Sequence, residues 1–325
     1  MGIYRFLMHR WERKLTLRDR NRRVFPYNWG LEWIGLPMDT GSDPVLAIKD
    51  YAEKAVLSSR RYFEPPPIQG VQYEGDRLIF DTPSPGPHEE NLRVRVSLFP
   101  AAASRKAVIV VPQWNADSES HVGLCRILQR MGYTAARLTL PYHEGRKPRG
   151  MIRADLAVGP NIGRTLHANR QAVLEVRQLV RWLKNQGFEK IGIVGTSLGS
   201  CISYLCMTHD SDIDVGVFNH VSAFFADVVW TGLSTRYIRW TLENKIRLED
   251  LRACWAPLSP WYYVDKFRED PRSHLLITAK YDLTFLPELS EKIFDRYREL
   301  DLELSLIHIS EPTRPLYISY AVFCL

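Results

Sequence analysis

The chain has 325 residues, 45% of them hydrophobic and 25% charged, an ordinary balance for a soluble globular protein with room for one large domain and additions. No apolar run reaches the eighteen or so residues that a membrane span needs. The net charge of +6 is concentrated in residues 1–23, with eight Lys/Arg against two Asp/Glu, so the remainder is close to neutral and no strongly basic nucleic-acid-binding face is expected there.

Arg5 and Arg10 interrupt the N-terminal apolar residues, so no secretory signal is read there. Met1-Gly2 is followed by Phe6, where a myristoylation signal needs Ser or Thr. Cys125, Cys201, Cys206, Cys254 and Cys324 form no C-x-x-C pair and no metal-ligand spacing. They read as core thiols of a reducing compartment, which points to a cytoplasmic location, with a position peripheral to the inner membrane as the variant. Tyr4, Leu7, Met8, Trp11 and Leu15 recur at helical spacing, with Arg5, Arg10, Arg13 and Lys14 around them. Two readings stand. The favoured one docks this helix on its own domain by its aromatic stripe. The other lays it on an anionic membrane surface.

The next stretch, to Pro37, reads as loop with aromatic anchors. Residues 43–63 read as a second helix, closed by Pro65-Pro66-Pro67. That triplet divides an N-terminal helical extension, 1–66, from the main domain, 67–303. Strands follow in VQYEG, RLIFDTP and LRVRVSLFP, the last with clear alternation. KAVIVVP is apolar throughout, as a strand buried on both faces would be. HVGLCRILQRMGY is a helix and TAARLTLP a strand, a β-α-β succession that implies a parallel sheet. After an irregular excursion comes a long helix, residues 164–187, ended by Gly187. DVGVFNHVS and HLLITAKYD are further strands, separated by an aromatic-rich, lid-like insertion at 223–272. LPELSEKIFDRYREL is a helix, and DLEL begins the last strand.

The chain is organised around KIGIVGTSLGS, residues 190–200. An apolar strand runs into G-x-S-x-G (Gly195, Ser197, Gly199) and then into a helix, the context of a nucleophile elbow. The turn strains its central residue, and strand and helix pass so closely that a Cβ at either flanking glycine would clash. No G-x-G-x-x-G, Walker or H-E-x-x-H motif is present, so no nucleotide, metal or other cofactor is expected.

Strand order, elbow and acid-bearing turn together resemble the α/β-hydrolases over residues 67–303. LPYHEGRKP, RTLHANRQAV, GTSLGSC, FNHVSAFFADVVWTGLST and AKYDLTF are similar to a bacterial branch of abhydrolase-domain proteins with an N-terminal helical extension. The resemblance implies a mostly parallel sheet flanked by helices and a helical lid, and gives Ser197 as nucleophile and Asp282 as the acid that orients a histidine. The bland alternative for Asp282 is a turn residue capping the following helix. The oxyanion would be held by the backbone N–H of Leu198 and by a second donor after VIVVP, Gln113 or Trp114, where the family at large often has His-Gly. His143, His220 and Trp230 are candidate pocket residues, although a loop histidine bonded to nearby backbone is the favoured reading of His143, and His220 stands equally for a structural role. Trp255 and Trp261 stand equally for an acyl-pocket wall or for the core of the insertion.

The expected reaction is hydrolysis of carboxylic esters of small molecules, lipid-like acyl esters among them, through an acyl-enzyme on Ser197. Acyl transfer or amide hydrolysis by the same residues is an alternative, and so is a non-catalytic scaffold on this fold. The fold's chain order requires the catalytic histidine to follow Asp282, and His308 alone does. It lies in a tail, 304–325, that resembles the translation of a sequencing adapter. The native strand is therefore expected to be cut near Glu303, the native histidine to be missing, and the chain as written to be nearly inactive.

Overall fold

The computed structural model describes residues 6, 7, 9–11, 13, 14, 22–38, 41, 43–270 and 272–302, and the backbone of 305–309. Tyr4, Met8 and Leu15 lie outside these residues, as do 304 and 310–325 and the side chain of His308. Leu7 and Trp11, which the favoured reading docks on the domain, are 54% and 39% exposed.

Nine strands form one sheet: β1 (Gln72–Glu74), β2 (Arg77–Asp81), β3 (Arg93–Phe99), β4 (Lys106–Val111), β5 (Thr134–Thr139), β6 (Lys190–Thr196), β7 (Val215–Asn219), β8 (His274–Ala279) and β9 (Ser305–Ile309). Their order is β1-β2-β3-β5-β4-β6-β7-β8-β9. β1, β2 and β3 pair antiparallel, and β3 meets β5 antiparallel. From β5 to β9 every pairing is parallel. The helices among the described elements are α1 (Pro44–Leu57), α2 (Ser59–Tyr62), α3 (Val122–Arg130), α4 (Ile162–Asn185), α5 (Leu198–Met207), α6 (Phe225–Thr231), α7 (Arg236–Leu242), α8 (Leu248–Cys254) and α9 (Pro287–Glu299).

β4 explains why KAVIVV is apolar at every position after Lys106. Ala107, Ile109 and Val111 face the larger core, while Val108 and Val110 face a second cluster with Leu124, Cys125 and Leu128 of α3. A strand covered on both faces has no position for water, and the period of two is hidden. α4 is fixed at both ends by chemistry visible in the sequence. Asn161 caps it, its side chain accepting the Arg164 N–H at 2.8 Å, and Gly187 takes φ +88° just beyond it.

Three elements differ from expectation. The second helix breaks at Ser58, whose N–H bonds the Lys54 carbonyl at 3.0 Å, and continues only as α2. The loop before it docks on the start of α4, with Gly163 donating to the Trp29 carbonyl at 2.8 Å. A Cβ on Gly163 would meet the Gly30 carbonyl, which explains the glycine. Of DLEL, expected to begin the last strand, Asp301 turns at φ +52°, Glu303 and Leu304 lie outside the described residues, and β9 spans Ser305–Ile309.

Candidate active site at the carboxyl edge of the sheet

Ser197 stands between β6 and α5 with φ 55° and ψ −117°, a conformation that non-glycine residues rarely occupy. The flanking glycines make it possible. A Cβ on Gly195 would run into the carbonyl of Gly199, and one on Gly199 into the carbonyl of Val111. The Ser197 N–H donates to the Asn219 carbonyl at 2.8 Å, tying the turn to the end of β7. Ser200 Oγ lies 2.7 Å from the Ser197 carbonyl and 2.8 Å from the His220 carbonyl. Just before the turn, Thr196 Oγ1 is 3.0 Å from His121 Nε2.

The N–H groups of Leu198, Gln113 and Trp114 have no hydrogen-bond partner among the described residues. Leu198 opens α5, so the positive end of that helix adds to its N–H. Trp114 is held by its ring, Nε1 donating to the Ala154 carbonyl at 2.9 Å, with Arg153 over its face at 5.3 Å.

Asp282 follows β8. Its Oδ1 accepts the N–H groups of Thr284 and Phe285 at 2.7 and 2.8 Å, which braces the turn, while α9 beyond it has Leu286 at its N-cap and no side-chain cap. Its Oδ2 remains for another partner, and His220 Nε2 approaches it to 3.3 Å without the alignment of a hydrogen bond. His220 ends β7 with φ +63°. Burial pushes its pKa down, and the Asp282 carboxylate opposes that shift. The strand ends of β6, β7 and β8 therefore present Ser197, His220 and Asp282 in lateral succession. His308 pairs with Thr278 in the β8–β9 ladder, inside a strand rather than in a loop beyond it.

Ser197 opens on an apolar cavity lined by Trp114, Val158, Leu198, Cys201, Phe225, Val228, Val229 and Phe285, with Ser222, Ser234, Thr235 and Thr284 at intervals. Cys201 is no rival nucleophile. Burial pushes its thiol up to about 12, and Sγ is engaged with the Leu258 carbonyl at 3.0 Å. Three candidate pocket residues do not line this cavity. His143 is buried between the Asn115 N–H and the Pro141 carbonyl. His220 is only 3% exposed and turned to Asp282. Trp230 packs beside the core under Arg239, 5.8 Å from its ring. Trp255 and Trp261 are absent from the wall as well. Trp255 is fully buried and donates to the Ile162 carbonyl at 3.1 Å, and Trp261 packs against Phe224 with the rings tilted by 31°. The wall is instead made by Phe225, Val228 and Val229 of α6, whose i, i+3, i+4 spacing was the available sequence signal.

The family model described as alpha/beta hydrolase domain containing 18 matches residues 126–252. No curated protein matches the chain. Among solved structures, the acetyl xylan esterase of Paenibacillus sp. R4 is 12% identical, with 90% of this chain and 97% of that one covered at a TM-score of 0.56. Acetyl xylan esterase 1 of Thermoanaerobacterium sp. JW/SL YS485 is 14% identical, with 85% and 92% covered at 0.55. The acylaminoacyl peptidase of Pyrococcus horikoshii is 12% identical at 0.52, with 75% of this chain covered, and the chain spans 45% of that protein's length. At such identities the likeness is one of fold. With the parallel sheet, the strained elbow and the family match over residues 126–252, it gives this chain the α/β-hydrolase fold.

Proposed function

We propose that the protein is a serine hydrolase that cleaves carboxylic esters through an acyl-enzyme on Ser197. The observation that carries this reading is the strained Ser197 at the mouth of an apolar cavity, beside the unpartnered N–H of Leu198. Ser197 Oγ attacks the acyl carbon while a histidine takes its proton. Leu198 and Trp114 N–H groups face the developing oxyanion, and the proton passes to the leaving alkoxide. Water then repeats the sequence on the acyl-enzyme, releasing the acid and restoring Ser197. An acyl group fits the wall of Phe225, Val228, Val229 and Phe285, which offers dispersion contact and little hydrogen bonding. Amide hydrolysis and acyl transfer would use the same residues, and the apolar wall is the reason for preferring esters.

The base is the histidine that Asp282 orients. Chain order gives His308, which lies in the adapter-like tail, so this assignment carries the expectation of a chain close to inactive. A second reading, favoured by the 3.3 Å approach to Asp282, gives that role to His220. A fluorophosphonate probe tests the nucleophile: it should label the chain, and Ser197→Ala should abolish both the label and the turnover of p-nitrophenyl acetate. Labelling that persists in that variant would remove Ser197 from the mechanism. A folded wild-type chain that never reacts would favour the non-catalytic scaffold.

A further inference from the structure

Among the described residues, His143 is the one buried histidine whose two ring nitrogens are both held by backbone near the loop after β4. It is 1% exposed, outside the Ser197 cavity, and the proposed reaction gives it no task. The Asn115 N–H can only donate, so the Nε2 it meets at 3.0 Å must be unprotonated. The Pro141 carbonyl can only accept, so Nδ1, 2.8 Å away, carries the hydrogen. The partners thus fix the tautomer, and the ring joins the turn after β5 to the loop after β4.

Both ends of this link are strained. Asn115 has φ +61°, and His143 is flanked by Tyr142 at +63° and Glu144 at +49°. Each such position costs on the order of 1 kcal/mol or more, and persists only where the surroundings over-determine it. Here they do. Arg146, three residues on, makes a bidentate pair with Glu175 of α4, two bonds of 2.7 Å with both side chains fully buried. Arg137 of β5 bonds the Ser120 carbonyl at 2.6 Å and Glu144 Oε1 at 2.7 Å, and also the Asp117 carbonyl, so one side chain grips both loop and turn. On the loop itself, Asn115 Oδ1 accepts the Ala154 N–H at 2.7 Å, and the Trp114 ring bonds the Ala154 carbonyl. Trp114 is therefore bracketed on both sides while its own N–H stays unpartnered.

We propose that His143 is a positioning residue for the oxyanion hole: by accepting the Asn115 N–H it fixes the peptide next to Trp114 and so aims the Trp114 N–H at the oxyanion. The inference rests on the hydrolase reading of Ser197. The charges that face the ring favour its neutral form. Burial, followed by Arg146, Lys147 and Arg137, pushes its pKa down to about 4, while the Pro141 carbonyl opposes. Glu144 is spent on Arg137, and Asp117 on the N–H groups of Glu119 and Ser120. The Nε2 acceptor therefore persists at neutral pH.

A positioning role for an oxyanion donor predicts a loss in kcat and not in KM, because the donor acts on charge that appears only in the transition state. In the full chain, His143→Ala should lower kcat for p-nitrophenyl acetate by about 10- to 100-fold, below the ~10²–10³ lost when an oxyanion donor is removed outright. Affinity for a trifluoromethyl ketone, which forms the oxyanion, should fall by a similar factor, with KM unchanged. His143→Gln, whose Oε1 can still accept the Asn115 N–H, should recover most of both. A folded His143→Ala with wild-type kcat and ketone affinity overturns the inference. So does a His143→Gln that folds like the wild type and yet loses as much as His143→Ala, and this second variant decides the matter if the alanine variant unfolds. If Ser197→Ala leaves the wild-type rate unchanged, the hydrolase reading itself has failed. A wild type that neither turns over nor binds the ketone overturns both.

Discussion

On the nucleophile side of the site, each segment that meets Ser197 is held from more than one direction. The elbow is wedged by Gly195 and Gly199 and tied to β7, and the oxyanion loop is gripped by Arg137, His143 and the backbone of Ala154. On the acid side, Asp282 is fixed by two backbone N–H groups on one oxygen, and among the described residues the other oxygen has only the misaligned approach of His220. The first side is built from elements close to the sheet centre, β4, β5 and β6. The second is built at the edge, where β8 pairs with β9. Preorganised donors need rigid support before substrate arrives, whereas hydrogen bonds between acid, base and nucleophile often tighten only in the complex. The contrast locates where a mutation acts on aim and where it acts on proton transfer.

The largest expected effect breaks the acid side. Asp282→Asn keeps an acceptor for the Thr284 and Phe285 N–H groups and removes the charge, so the turn should survive while kcat/KM falls by ~10⁴, the scale of losing the orienting carboxylate of a serine triad. Comparing His220→Gln with His308→Gln then assigns the base. If His220 holds that role, its variant should match Asp282→Asn and His308→Gln should leave the rate unchanged. The reverse pattern returns the base to His308. Steady-state turnover of p-nitrophenyl acetate reads all three.

The nucleophile side was legible in the sequence because its constraints are local. Glycine is required where a Cβ meets a carbonyl, and Gly195 and Gly199 stand two residues either side of Ser197. β4 was legible for the same reason, as five consecutive residues, Ala107 to Val111, that shun water on both faces. What was not legible is what depends on distance along the chain. His143 reaches Asn115 across 28 residues, through backbone angles that nothing in PYHEG announces. His220 reaches Asp282 across a whole insertion. Trp230, Trp255 and Trp261 misled because a tryptophan signals burial without saying against what. The insertion packs partly on α1, and its aromatic residues serve that core.

A smaller effect tests whether the restraint on the nucleophile side depends on neutral histidines. Burial pushes His121, His143 and His167 down to about 4 and His209 to about 3. The unfolded chain takes up protons near 6.5. Between these values the unfolded state binds more protons than the folded one, so stability should fall as pH drops from about 6.5 toward 4. Each such histidine contributes a slope of up to about 1.4 kcal/mol per pH unit. Denaturant unfolding at pH 7, 6 and 5 should show the decline, and His143→Gln should make it shallower by about one histidine's share. Equal stability at pH 7 and 5 would show that these rings are not held neutral by the fold.

The smallest catalytic effect is expected from the N-terminal segment before residue 22. Phe6 and Leu7 are more than half exposed, and Trp11 is 39% exposed, beside exposed Arg10, Arg13 and Lys14. An aromatic and basic surface of this kind suits an anionic membrane, where each Lys or Arg near the surface contributes about 1 kcal/mol. From Arg22 onward the chain is anchored. Arg22 bonds the carbonyl of Ser234, a residue of the cavity wall, and lies 5.7 Å from the Tyr237 ring, while Thr241 Oγ1 donates to the Phe25 carbonyl at 3.0 Å. Removing residues 1–14 should therefore leave kcat/KM within about twofold and should reduce pelleting with phosphatidylglycerol vesicles at low salt by at least tenfold, since several such cations are lost together. Added salt should erase the difference by screening it. Removing residues 1–23 also deletes Arg22 and should cost activity as well, because the Ser234 end of the cavity wall loses its tie. If the shorter deletion aggregates, the segment covers its own domain, and the docked reading of Leu7 and Trp11 returns. If it remains soluble and pellets as before, the membrane reading is wrong.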